Sequence, residues 1–295
     1  MEKEILEKYK LAGKINKEVL QFGAKLVKED ALICEIADAM ELKIKELGGQ
    51  IAFPVNISIN EIAAHYAPLK DDPIKIKPED YVKLDAGTHI DGYIADAAIT
   101  VRIAGKDDLI KCSEKMLEEA IKNFIPGKTL GEIGSIIEDT AISMGFKPVR
   151  NLTGHTLDQF NLHAGENIPN IRIDERIEIR KGQAYAIEPF CTAGNGWIKD
   201  VQPTLIFRYI SSRPTRSPEA RKILELAKNN YFRLPFAKRW LQKQISPLKV
   251  EQALRQLQMN NSIYGYQVLK ETSGQPVAQT EHTLIAMDTP IVTTR

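Results

Sequence analysis

Cysteine is scarce in this 295-residue chain: Cys34, Cys112 and Cys191 stand far apart and make no CxxC pair. That excludes a disulfide framework or a zinc knuckle and points to free thiols in a reducing cytoplasm. Long apolar runs are also missing. No stretch reaches the ~18 residues that suggest a membrane span, so no membrane partner is expected. The opening MEKEILEKYK is charged and helical in character, unlike a signal or transit peptide. Neither charge sign dominates, since 40 Lys+Arg against 39 Asp+Glu leave +1. GxSxG, Walker A and HExxH motifs are absent, as are short repeats and low-complexity tracts.

The balanced total hides an uneven distribution. Residues 208–269 hold 12 Lys+Arg and 3 Asp+Glu, a local charge of +9, and the remainder carries −8. The ends of that basic segment are expected domain boundaries, dividing the chain into 1–207, 208–269 and 270–295. Helical spacing of Leu11, Ile15, Val19, Phe22 and Leu26 predicts an amphipathic helix over 4–28. A second, with Asp30 as its cap, carries Ile33, Ile36, Met40, Ile44 and Leu47 and stops at Gly48-Gly49. IAFPVNISINEIAAHYAP reads as a short strand and irregular loop, and YVKLDAGTHIDGYIADAAITVRI as a β-hairpin turning at Asp91-Gly92. Helices are expected over 108–124 and, behind a Thr129/Glu132 capping box, up to Gly145. Residues 217–230 and 247–258 are predicted helical around a basic, aromatic stretch at 231–240. A last strand pair is expected near 268–271 and 277–287. The order is α+β, not alternating βαβ.

Against this background five side chains stand in β contexts: Asp85, Asp96, His155, Glu188 and Glu281. Four carboxylates and an imidazole suffice to hold two divalent cations, which points to metal-assisted hydrolysis. A two-residue turn at Asp91-Gly92 places Asp85 opposite Ala98 and one diagonal step from Asp96. A turn shifted by one residue puts the two aspartates directly opposite. Either register sets like charges on one face, where a cation would neutralise them. A three-residue loop would instead separate them onto opposite faces and leave two surface aspartates. Gly154 before His155 suggests a backbone passing close beside a ligand. Glu188 and Glu281 adjoin apolar runs, so their carboxylates need partners. His65 and His163 could face a cleft, whereas His89 and His282 read as structural.

At these residues the chain resembles type II methionine aminopeptidases of the short archaeal form. The stretches that carry the likeness are AFPVNISINEIAAHY, YVKLDAGTHIDGYIADAAITV, NLTGHTLDQFNLHAGENIPN, AYAIEPF and VAQTEHTLIAMD, spread over 52–288. The resemblance implies a pita-bread fold of two pseudo-symmetric hairpin-and-helix halves, with a winged-helix-like insertion at the basic segment. It implies two divalent ions (Co, Mn, Fe or Zn), one held by Asp85, the other by His155 and Glu188, with Asp96 and Glu281 bridging. Glu188 would also shuttle a proton as activated water attacks the first peptide bond. His163 would contact the scissile carbonyl and His65 the next amide. Phe53, Leu162 and Tyr266 would line the methionine pocket. The substrates implied are nascent polypeptide N-termini with a small second residue. The basic segment suits a ribosome or RNA contact, and a non-catalytic RNA-binding relative or a proline-directed peptidase are the competing readings. The chain departs from the pattern in two places. Thr280 stands where phenylalanine is common, and the insertion lacks the histidine some relatives place there.

Overall fold

The computed structural model describes residues 1–295. In the first half, α1 (Lys3–Leu26) and α2 (Ile33–Glu46) precede β1 (Gln50–Ile59), β2 (Ile62–Ala64), β3 (Val82–Ile90) and β4 (Tyr93–Val101). The helices pack on the β1-β3-β4 sheet through Ile15, Val19, Ile36, Met40, Ile57 and Leu84. The buried stripe of α1 keeps the expected Ile15 and Val19, with Phe22 and Leu26 packed partly buried against the same core, but leaves Leu11 out. Tyr9, Ala12, Ile15, Asn16, Val19 and Leu20 face inward, and Leu11 stays 48% exposed. Asn16 belongs to the inward face because its buried amide donates to Ala86 O at 2.8 Å and Ala95 O at 3.3 Å and thereby ties α1 to the hairpin. Asp30 does not cap α2. It adopts a positive φ of 62° in the preceding turn, and the helix starts from Leu32 with no side-chain cap.

The hairpin forms with the first of the two registers. Asp91 (φ 50°) and Gly92 (φ 87°) make a two-residue turn, and Asp85 pairs with Ala98 and Gly87 with Asp96. The region expected as short strand and loop is instead a ten-residue strand, β1, with register shifts either side of Phe53. Pro54, which has no N–H for a ladder, sits within the shifted stretch.

The second half repeats the theme of two helices on a sheet. Here α3 (Asp108–Asn123) and α4 (Leu130–Ser143) are followed by β5 (Lys147–Pro148), β6 (Thr153–Leu157), β7 (Asn167–Pro169), β8 (Ala184–Ile187) and β9 (Phe190–Thr192). Asp107 caps α3 by accepting from Ile110 N at 3.2 Å. Both arms of the Thr129/Glu132 capping box are formed at the start of α4. Leu117, Phe124, Ile133 and Ile137 of these helices share a core with Tyr185, Ile187 and Leu284.

Next come β10 (Ile198–Tyr209), α5 (Pro218–Leu226), a π-helical turn at Ala227–Tyr231, β11 (Phe236–Ala237), α6 (Lys238–Gln242), α7 (Pro247–Met259) and β12 (Ile263–Glu271). The helices enclose a core of their own built on Phe207, Ile223, Phe236, Leu254 and Leu257. The expected strand at 268–271 is the end of β12, which pairs with β10 and β2 rather than with the strand that follows. That following strand, β13 (Val277–Gln279), pairs with β9. The chain ends through β14 (His282–Ile285) and β15 (Ile291–Val292), and the five-stranded sheet runs β15-β14-β8-β6-β7. Strand pairing in each sheet is antiparallel, as an α+β fold requires. The halves are stitched where Glu281 N donates to Ala98 O at 2.8 Å and Asp96 N donates to Thr283 Oγ1 at 2.7 Å.

Candidate metal centre

The seam between the halves places the acidic residues. Asp85 and the partner of Asp96, Gly87, are two apart on β3, so both aspartates occupy one face of the hairpin. The same diagonal recurs opposite. His155 on β6 pairs with Ala186, and Glu188 lies two residues beyond it, just past β8. Glu281, in the link between β13 and β14, enters through its backbone pair with Ala98.

These placements bring one ligand atom each of Asp96, His155 and Glu281 within 4.8 Å of one another, all buried. His155 Nε2 is 3.6 Å from Asp96 Oδ2 and 3.5 Å from Glu188 Oε1. Asp85 completes the floor of the same cavity, and its Oδ1 is buried with no hydrogen-bond partner. Burial pushes the Asp85 carboxyl up to about 7. Burial and then the neighbouring carboxylates lift Asp96, Glu188 and Glu281 well above the usual range. Burial lowers His155 to about 4, so its ring is neutral and ready to ligate. Four crowded carboxylates and a neutral imidazole, with an orphaned carboxylate oxygen and no thiolate, fit divalent cations of the Mn, Fe, Co or Zn type.

The cavity encloses about 60 Å³, and all ten residues singled out in the sequence line it: the five above with His65, His163, Phe53, Leu162 and Tyr266. His65 takes a positive φ of 64° just past β2. Its Nδ1 donates to Gln267 O at 3.1 Å, which leaves Nε2 as the acceptor of a neutral ring. Burial lowers the pKa of both histidines, and for His163, with help from His155, His65 and Arg208, to about 2. Tyr266 lies edge-on to His65 with ring centroids 5.6 Å apart.

His89 and His282 lie elsewhere. His89 Nδ1 accepts from Gly92 N at 3.0 Å, and His282 Nδ1 meets Thr294 Oγ1 at 2.9 Å. The glycine before His155 serves a neighbouring strand rather than a ligand, since a Cβ there would fall 2.4 Å from Ala186 O. Thr280 is accommodated by Ser113 of α3, their hydroxyls 2.7 Å apart.

Four lining residues had no motif to announce them: Asn56, Ala64, Ile206 and Pro235. Asn56 pairs with Asp85 across β1 and β3, so recognising β1 as a full strand would have found it. Gly87 is a further omission. Its missing side chain is where the Phe53 ring lies, 2.2 Å from an ideal Cβ.

Residues 7–212 match the model of metallopeptidase family M24. A methionine aminopeptidase from Pyrococcus abyssi is 46% identical over 286 residues, 96% of this chain and 97% of its own length. The chain belongs to the methionine aminopeptidases of family M24. A second such relative, from Methanocaldococcus jannaschii, is 44% identical over the whole of both chains. The metallopeptidase family and these full-length methionine aminopeptidase relatives together make this a metal-dependent aminopeptidase. A solved methionine aminopeptidase from Thermotoga maritima superposes with a TM-score of 0.72 at 22% identity, covering 100% of this chain and 98% of that one. A thermophilic Arx1 gives 0.87 at 19%, covering 99% and 91%. At these identities the likeness is one of fold, and the fold is pita-bread.

Proposed function

We propose that this enzyme removes the initiator methionine from nascent polypeptides, with two divalent cations seated on the five-residue cluster. The observation that carries the reading is the convergence of that cluster, two neutral histidines and an apolar wall on one cavity. Asp85 would hold one ion, His155 and Glu188 the other, and Asp96 and Glu281 both. The bound ions supply Lewis acidity and lower the pKa of water toward about 7. Glu188 takes the proton of the attacking water and passes it to the leaving amine. His163 contacts the carbonyl of the scissile bond where negative charge develops. His65 accepts from the next amide N–H through Nε2, the tautomer its bond to Gln267 O selects. The side chain of methionine packs on Phe53, Leu162 and Tyr266, burial that is worth about 1.5–3 kcal/mol. A compact cavity suits a small second residue.

Glu281→Ala and His155→Ala each remove one ligand. Both variants should fold, by circular dichroism, and lose nearly all cleavage of a Met-Ala peptide. Full activity in either sinks the assignment. Keeping all five ligands argues against a non-catalytic relative, and a comparison of Met-Ala with Xaa-Pro peptides separates the proline-directed alternative.

A second reading concerns residues 208–269 as an inserted subdomain. Its +9 charge and separate core support a contact with ribosomal or other RNA in the cytoplasm. Filter binding should weaken steeply between low and high salt, and a flat salt response would reject an electrostatic contact.

A further inference from the structure

The ribbon of β10 and β12 has two faces with different neighbours. On one, Phe207 and Ile263 join the core of the inserted helices, and Gly265 leaves room for the Gln258 amide of α7. On the other, Ile206 and Tyr266 stand directly opposite each other and line the metal cavity. The register then stays regular, and two residues further along Arg208 is paired with Tyr264. Because side chains alternate along a strand, Arg208 and Tyr264 continue the cavity-lining face, about 7 Å beyond Ile206 and Tyr266. The Tyr264 ring meets Tyr266 edge-on at 5.0 Å and is 51% exposed, as expected at the mouth of a cleft.

Arg208 is half-buried, and its Nε is buried with no hydrogen-bond partner. The ion pairs of the inserted segment engage Lys238, Arg239, Lys243 and Lys249 and leave Arg208 out. Its charge is felt at His163 and Tyr266, so the guanidinium stands on the histidine side of the cavity. A guanidinium has five donors in a rigid fork suited to a carboxylate, and leaving a buried donor unpaired is costly. An extended peptide advances about 3.3 Å per residue, so 7 Å corresponds to about two residues of substrate. We propose that Arg208, flanked by Tyr264, is a specificity residue that receives a carboxylate at about the third residue of the polypeptide substrate. This rests on the reading of the cavity as an aminopeptidase site.

The test is steady-state cleavage of Met-Ala-Asp-Gly and Met-Ala-Asn-Gly amides, with Met-Ala-Ser as free acid and as amide to separate a side-chain carboxylate from a chain-terminal one. The Asp peptide should show a KM about tenfold below the Asn peptide with kcat little changed, since the contact is made equally before and in the transition state. Arg208→Gln should bring the Asp:Asn ratio to one, and Arg208→Lys should keep part of it. A preference for the free acid alone, lost in Arg208→Gln, also supports a carboxylate site. Ratios near one for both pairs in the wild type, with the Asn peptide still cleaved, overturn the subsite and leave the aminopeptidase standing. A ratio that survives Arg208→Gln overturns the assignment to Arg208. Cleavage of none of the peptides overturns both readings.

Discussion

Gly87 shows how a residue without chemistry shapes the site. It lies two residues past Asp85 on β3, paired with Phe53 on one side and Asp96 on the other, where the Phe53 ring crosses the strand, and an added methyl would sit 2.2 Å from that ring. Gly87→Ala should therefore push Phe53 out of the proposed methionine pocket. Overpacking of this kind costs about 1–3 kcal/mol. Urea denaturation should show that loss, and KM for Met-Ala should rise more than kcat falls; unchanged values in both would separate Phe53 from substrate binding. At this scale the sequence was most readable where chemistry restricts residue type. A carboxylate beside an apolar run needs a partner, which singled out Glu188 and Glu281, and like charges on one face of a hairpin singled out Asp85 and Asp96. Asn56 and Gly87 did not, because a buried amide and a small residue in a strand have many ordinary explanations.

Elements were legible where local signals agreed. The Asp91-Gly92 turn and the Thr129/Glu132 box are short-range chemistry, and both formed as their residues dictate. β1 was obscured by Pro54, whose missing N–H is absorbed by register shifts no local rule announces. The stripe of α1 was read correctly except at Leu11, and Asn16, polar by type, could not be foreseen on the buried face because a tertiary bond puts it there. The least legible element is α6, in which Arg239 is fully buried. Its Nε donates to Asp38 Oδ1 at 2.8 Å, it pairs with Glu41, and Trp240 Nε1 donates to Glu41 Oε2 at 2.7 Å. This joint fastens the basic segment to α2. Burial raises the pKa of Glu41, and Arg239 opposes that rise. Arg239→Met leaves Glu41 buried without its counter-charge and should cost about 3–5 kcal/mol in chemical denaturation. Adding Glu41→Gln should recover much of the loss while keeping an acceptor for Trp240. A double variant as unstable as the single one would show that packing, not charge, holds the joint.

For the molecule as a whole, the two halves meet on groups that repel one another. Burial raises Asp85 to about 7 from an ordinary 3.8, and Asp96, Glu188 and Glu281 move the same way. For an acid raised on folding, the native state binds the extra proton. Its stability is intact below the unfolded value and falls as pH rises through the folded one. Buried histidines act in the opposite sense, since His155 and His163 are lowered, but their contribution is complete above about 6.5. Lys83, lowered to about 7 by burial, adds stability as pH rises above 7 and is a contribution separate from the carboxylate cluster. The metal-dependent part can therefore be isolated as the gain in Tm on adding Mn²⁺ to metal-stripped protein at pH 6.5 and at pH 8.5. Saturation at about 1,000 times Kd stabilises by about 4 kcal/mol, several degrees for a chain of this size. Cations displace the protons these carboxylates retain, so the gain should be larger at pH 8.5. An equal or smaller gain there would mean that the cluster is already ionised without metal, held by something other than the cations its geometry fits.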